Sequence, residues 1–291
     1  MLLKYRAAPY SFIAPAIVVI AMVMIMPIFV AIGISLTDAK LLAFSQAKFV
    51  GLKNYATFFA DKNFKYVILA TSIYVVGGVG LTYVFGLATA TILNQKIKGR
   101  FIFRAMMILP WVIPQVVLVL IFRWMLNPQY GVINYLLSGV GLIPRDFAWL
   151  SNPNFAILAI LMVTLWKQYP LGCLILLAGM KSIPDELYEA ASVDGANAVR
   201  KFIHITIPGL RYVTAVLILL LVIWSFGNFV IIWLMTQGGP ANRTSTLTIF
   251  TYLNAFKFSK LGYASAIGFI CLVISLVFSV IYYSFYIKKL D

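Results

Sequence analysis

EAASVDGANAVRKFIHITIP, residues 189–208, gathers two carboxylates, a glycine and a basic run inside a chain that is otherwise largely apolar. Such a stretch cannot lie in lipid, where charged side chains are costly. Its reading therefore decides how the apolar segments on either side are used. Upstream, Pro184 suits the first turn of a helix, and Asp185, Glu186 and Glu189 sit where the helix dipole favours negative charge. Leu187, Ala190 and Ala191 share one face by the i, i+3, i+4 rule, with the carboxylates on the other. Gly195 permits a sharp turn, and a second short helix, basic through Arg200 and Lys201, runs to Pro208. The expectation is a helix–turn–helix outside the membrane. It is either a docking element for a soluble partner or an ordinary loop helix with a solvated face.

Around it the composition is that of a membrane protein. The 291 residues are 63% hydrophobic and 11% charged, with a mean hydropathy of +0.97. Soluble domains are nearer half apolar and a quarter charged. A helix needs about 20 apolar residues to cross the hydrocarbon core. Six stretches reach that length, at about 11–36, 66–93, 101–126, 155–178, 212–235 and 263–287. The connections leave no room for a soluble domain, so 1–291 reads as one membrane domain with a loop at 181–208. The first span is too long for a signal-peptide core, lacks a small-residue cleavage site after it, and reads as a retained anchor. Cys173 and Cys271 fall inside apolar segments and suggest no disulfide framework.

Six spans place both termini on one side, together with 94–100 and 179–211. That side carries 11 Lys and Arg in 54 residues, against 9 in 84 for the loops 37–65, 127–154 and 236–262. The bias, sharpest at Lys96, Lys98 and Arg100, puts both termini in the cytoplasm. The formal charge of +15 is spread along the span flanks, which argues against nucleic acid as a partner. Pro110 and Pro114 fall inside the third span, and each is expected to kink it.

What is missing narrows the mechanism. All eight acidic residues fall outside the six spans, and the one histidine, His204, lies in the 179–211 loop. A proton-coupled carrier commonly holds such a group within the membrane. No G-x-x-x-x-G-K-[ST] loop for a nucleotide is present, and one histidine rules out a histidine metal cluster. No catalytic residue set is identified, and no metal site. If the chain transports, another subunit drives it.

The pattern E-A-A-x3-G-x9-I-x-L-P resembles the signature loop of permease subunits of bacterial ATP-binding-cassette importers. Glu189, Ala190, Ala191, Gly195, Ile205 and Pro208 match it at the right spacing, with Ile207 where leucine is usual. FVGLKNYATFF (49–59), YGVINYLL (130–137), NFVIIWLMTQGGP (228–240) and TQGGPANRTSTL (236–247) are similar to external-loop motifs of the carbohydrate branch, in particular the maltose-type first permeases. The first 45 residues match in hydropathy only, and the extra N-terminal spans and large insertion of the maltose protein are lacking. The resemblance implies the all-α fold of a type I importer permease, with six transmembrane helices and a cytoplasmic coupling helix. It implies a bacterial inner-membrane location, a second permease, a dimer of ATPase subunits that bind the ATP and magnesium, and a periplasmic or lipid-anchored solute-binding protein. This chain itself would bind no cofactor and catalyse nothing. Glu189 would meet a basic residue of the ATPase.

Sugar sites combine aromatic faces with hydrogen-bonding side chains. Two mid-membrane stretches offer both: WKQYP at 166–170, with Lys167 at mid-depth, and WSFGN at 224–228. By resemblance these line the substrate cavity, which points to Gln168, Leu171, Trp224, Ser225, Asn228 and Val230. Interhelical packing is the other use for such residues, and for Lys167 the favoured one. The expected function is import of an oligosaccharide, an acidic one such as a uronate oligomer among the candidates. The alternatives are an ion-coupled secondary sugar carrier, an importer of a non-sugar solute such as a polyol phosphate, and a membrane scaffold.

Overall fold

The structure is a computed structural model and describes residues 12–95 and 98–287. The terminal segments 1–10 and 288–291, Ser11 of the first span, and Lys96 of the basic cluster lie outside the described residues. Among those described, helices follow one another without a strand, and the Thr37–Phe49 bridge is isolated. In chain order they are α1 (Phe12–Ser35), α2 (Lys53–Ala60), α3 (Phe64–Asn94), α4 (Arg100–Val112), α5 (Gln115–Met125) and α6 (Val132–Gly139). There follow α7 (Ala156–Lys181), α8 (Asp185–Val193), α9 (Ala198–Gly209), α10 (Arg211–Gly227), α11 (Val230–Thr236), α12 (Leu247–Tyr252) and α13 (Leu261–Tyr286). Helices α1, α3, α7 and α13, of 24 to 31 residues, are long and apolar enough to cross a bilayer. Two bent pairs, α4–α5 and α9–α10, raise the number of candidate spans to six. The expected all-α polytopic class is what the chain adopts.

Two of the spans read from hydropathy are not continuous helices. The 101–126 stretch breaks at Ile113–Pro114, and α4 and α5 meet at 94°. Proline forces its predecessor out of the helical region, and both residues are extended, with ψ of 130° at Ile113 and 138° at Pro114. Pro110 stays inside α4, so the two expected kinks become one sharp break. The 212–235 stretch breaks after Gly227, where Asn228 takes φ −73° and ψ 119° before α11 starts. The Asn228 carbonyl, released from the helix ladder, accepts from Thr248 Oγ1 at 3.3 Å.

The chain falls into two compact units, Met1–Phe64 with Phe250–Leu272, and Lys65–Ile249 with Val273–Asp291. In the first, Asn54 Nδ2 donates to the carbonyls of Ser35 (2.8 Å) and Thr37 (2.7 Å), satisfying acceptors freed at the end of α1. Asp61 accepts from the Tyr263 hydroxyl at 2.9 Å, and Phe58 packs edge-on against Phe64. These contacts give the FVGLKNYATFF stretch a structural use. In the second unit, α3, α7 and α10 bury a common core of Val75, Val79, Leu93, Leu176, Leu177, Leu217 and Leu221. Gly86 and Gly172 bring α3 and α7 close enough that a Cβ on Gly86 would sit 3.0 Å from the Gly172 backbone. Close approach at small residues is how membrane helices gain packing energy.

Candidate functional site

Two features of the second unit carry chemistry, a surface helix pair and a cavity. In the helix pair, Pro184 forms the N-cap of α8, and Asp185 and Glu186 occupy its first turn. The helix ends in a Schellman arrangement: Ala196 N–H donates to the Ala191 carbonyl (2.8 Å) and Gly195 N–H to that of Ser192 (3.1 Å). This requires the left-handed backbone at Gly195, whose φ is +74°. Asn197 then caps α9, its Oδ1 accepting from Arg200 N–H at 2.9 Å. Sequence reasoning passed over Asn197, although an Asn directly before a helix is a recognised N-cap signal.

The two helices are tied together. The Tyr188 and Thr206 hydroxyls are hydrogen-bonded at 2.9 Å, and Lys201 Nζ donates to Ser192 Oγ at 2.5 Å. Tyr188 and Ile205 also pack on the apolar core. What faces outward is apolar as well as charged: Val193 is 88% exposed, Val199 64% and Leu187 51%. Glu189, Ala190 and Pro208 are exposed and Ala191 is half-buried. A rigid projection with uncovered aliphatic side chains beside carboxylates has the makeup of a docking surface.

The cavity, of about 410 Å3, opens where the two broken spans meet α7. Its volume lies in the range of small-molecule sites. Gln168 and Leu171 line it from α7, Trp224 from α10, and Asn228 and Val230 from the break before α11. Five of the six residues singled out from sequence thus come together. Ser225 does not join them: it is 3% exposed, and its Oγ donates to the Leu221 carbonyl at 2.7 Å on the packed side of α10. Ile223, Trp111, Gln115, Gly227 and Phe229 line the cavity without having been singled out. The available signal was Pro110 and Pro114, which flank Trp111 and mark the span that breaks at the cavity.

Two polar atoms make this cavity unusual. Gln168 Oε1 and Asn228 Oδ1 are both buried with no hydrogen-bond partner. Beneath them the buried Tyr74 hydroxyl meets that of Thr164 at 3.3 Å. An unsatisfied buried acceptor costs on the order of 1–3 kcal/mol. Both residues line the cavity, while the two oxygens themselves lie beneath its surface. Trp224, 48% exposed, offers an indole face beside them.

Lys167 lies on the cavity wall and has a second use. Its Nζ donates to the carbonyls of Trp111 (2.5 Å) and Ile113 (2.7 Å), which the break at Pro114 leaves without helical partners. A cation there caps the C-terminus of α4 and meets the negative end of its dipole.

Comparison with known proteins places these features in a wider group. Residues 82–286 match the model of the binding-protein-dependent transport system inner membrane component. The chain is 35% identical over 282 residues to the trehalose/maltose transport system permease protein of Thermococcus litoralis, covering 96% of this chain and 94% of that protein. The same fold occurs in the crystal structure of a bacterial ABC transporter involved in the import of the acidic polysaccharide alginate. There a chain superposes with a TM-score of 0.81 at 22% identity, covering 98% of this chain and 97% of its own length. The alginate ABC transporter in complex with an alginate pentasaccharide-bound periplasmic protein also gives 0.81, at 23% identity over 96% of this chain and 94% of that one.

Proposed function

The chain belongs to the binding-protein-dependent transport system inner membrane components, and from that membership we propose that it forms half of the translocation pathway of an ATP-driven oligosaccharide importer. The observation that carries the reading is the cavity between the broken spans, lined by two amide side chains, Gln168 and Asn228, and by the Trp224 indole. Amide side chains exchange hydrogen bonds with sugar hydroxyls, and a sugar ring covers an indole face. The trehalose/maltose relative and the alginate transporters support a saccharide as cargo. Gln168, Leu171, Trp224, Asn228 and Val230 are the proposed contacts.

In this reading a second permease completes the pore, and α8–α9 seats on one subunit of an ATPase dimer through Glu189, Ala190, Ala191 and Gly195. ATP and magnesium belong to those subunits, and this chain catalyses nothing. A periplasmic or lipid-anchored binding protein delivers the cargo, as the alginate complex supports. The Lys and Arg distribution supports cytoplasmic termini, and the family membership supports an inner membrane.

ATP-driven uptake by the reconstituted assembly tests the reading. Asn228→Ala removes one hydrogen bond to a neutral sugar, worth about 1 kcal/mol, and should weaken apparent affinity by about fivefold with assembly intact. Ser225→Ala, whose hydroxyl is engaged within α10, should leave uptake within about twofold. Equal losses in both variants, or assembly failure in the first, would return Asn228 to packing.

The loop charge bears on two readings, steering of an acidic cargo and contact with an acidic binding protein or anionic headgroups. The loops at 37–65, 127–154 and 236–262 carry nine basic and three acidic residues, on the face where positive-inside sorting predicts few cations. In the first reading the loops steer an acidic saccharide such as a uronate oligomer toward the pore. If the loops steer cargo, uronate oligomers should outcompete neutral oligosaccharides of equal length, with an advantage that shrinks as salt rises. If neutral sugars enter and acidic ones are ignored, the loop charge serves docking of the binding protein.

A further inference from the structure

A second cavity, of about 400 Å3, is lined by Arg123, Asn127, Trp149, Ser151, Leu234 and Gln237 among others. It shares its walls with the first: α5 and α11 each begin at the inner cavity, with Gln115 and Val230, and end at the outer one. At 1.5 Å per residue the two are separated by about 6 Å along α11 and about 12 Å along α5. The loop at Ala148–Ser151 precedes α7, whereas α8 follows it, so the second cavity and the helix pair lie at opposite ends of a 26-residue helix.

This cavity is built with fixed parts. Trp149 Nε1 donates to Asn134 Oδ1 at 2.6 Å, and Asn134, 2% exposed, donates in turn to the carbonyls of Phe147 (2.8 Å) and Arg145 (3.2 Å). Phe147 and Phe155 meet the indole edge-on, with ring centroids 5.0 and 6.1 Å away. A buried amide and two rings therefore lock one half-buried tryptophan at the cavity wall. Arg123 Nη1 donates to the Leu234 carbonyl at 3.2 Å, which fixes the guanidinium between α5 and α11. It has five donors, and a single carbonyl uses one. Gln237, which ends α11, holds the left-handed backbone at φ +52°, an uncommon conformation outside glycine. Backbone strain of this kind concentrates at ligand sites.

We propose that this cavity is an outer saccharide subsite, which rests on the importer reading above. One ring of an oligomeric cargo stacks on Trp149, with its hydroxyl or carboxylate oxygens on Arg123, while another ring occupies the inner cavity. The spacing makes the subsite selective for length, because a short cargo fills one cavity and a longer one engages both.

Uptake of a uronate disaccharide and a uronate pentasaccharide by the complete reconstituted transporter, with its binding protein, tests this. Trp149→Ala should lower pentasaccharide uptake by about fivefold, the worth of one aromatic contact, and disaccharide uptake by less than about twofold. Arg123→Gln should show the same length dependence without touching the aromatic cluster. Equal loss of both cargoes in the two variants, with weaker capture of the loaded binding protein, would assign the cavity to that protein and overturn the proposal. So would wild-type uptake of both cargoes in both variants. If the wild type imports neither saccharide while another solute drives uptake, the importer's cargo class itself is wrong, and the subsite falls with it.

Discussion

The Glu189→Lys, Gly195→Leu double variant should insert and fold as the wild type does, yet lose at least about tenfold in ATP-driven uptake. Both halves of this expectation come from the geometry of α8–α9. Glu189 is exposed, so reversing its charge changes what a partner meets. Gly195 sits at φ +74°, where a side chain adds about 1–2 kcal/mol of backbone strain. A Cβ there meets no atom within 4 Å, so the substitution creates no clash within this chain. The strain falls instead on the Schellman turn that sets the angle between α8 and α9. Tenfold corresponds to about 1.4 kcal/mol of coupling, less than a buried interfacial charge pair can lose. The measurements are membrane insertion, ATPase co-purification and uptake in proteoliposomes. A properly inserted double variant with wild-type uptake would remove α8–α9 from the coupling role.

That element was legible because its causes are local. The acidic first turn, the glycine and the basic second helix are spaced by helix geometry, and the resemblance to importer permeases rested on the same residues. The spans were legible too, because the bilayer demands long apolar runs. Their interruptions were less so. Pro114 announced a break, but neither its 94° angle nor the survival of Pro110 within α4 follows from counting prolines. The break at Asn228 sits between apolar runs with a single glycine to mark it, and a Thr248 hydroxyl twenty residues away donates to its carbonyl. Trp224 and Ser225 are adjacent, so a helix turns them about 100° apart and only one can face a cavity. Resemblance selected both; the back-bond from Ser225 to Leu221 shows which is turned away. Asn134 was invisible for the same reason in reverse: its partners Phe147 and Trp149 lie across a loop, and no periodicity connects them.

Lys167→Met should abolish most uptake, of neutral and acidic saccharides alike, and Lys167→Arg should restore a substantial part. The reason is the load on one ammonium. At mid-span a cation needs partners, and Lys167 finds them in two carbonyls that the Ile113–Pro114 break strands at the end of α4. Methionine matches the length and apolar stem but donates nothing. Each charge-assisted hydrogen bond contributes about 1.5–3 kcal/mol, and the sum is discounted because the cavity opening lets water replace part of it. A residual loss of about 2–3 kcal/mol is enough to let α4 and α5 leave their 94° arrangement. Trp111 and Gln115, which flank the break, would then leave the cavity wall together. Arginine keeps the charge and several donors, so it can cap the same carbonyls despite its different shape. Spin labels on α5 and α7 should report a changed distance in the methionine variant and a near-native one in the arginine variant. If Lys167→Met instead leaves that distance and neutral uptake unchanged while acidic uptake alone falls, the ammonium serves the cargo and the broken helix holds itself.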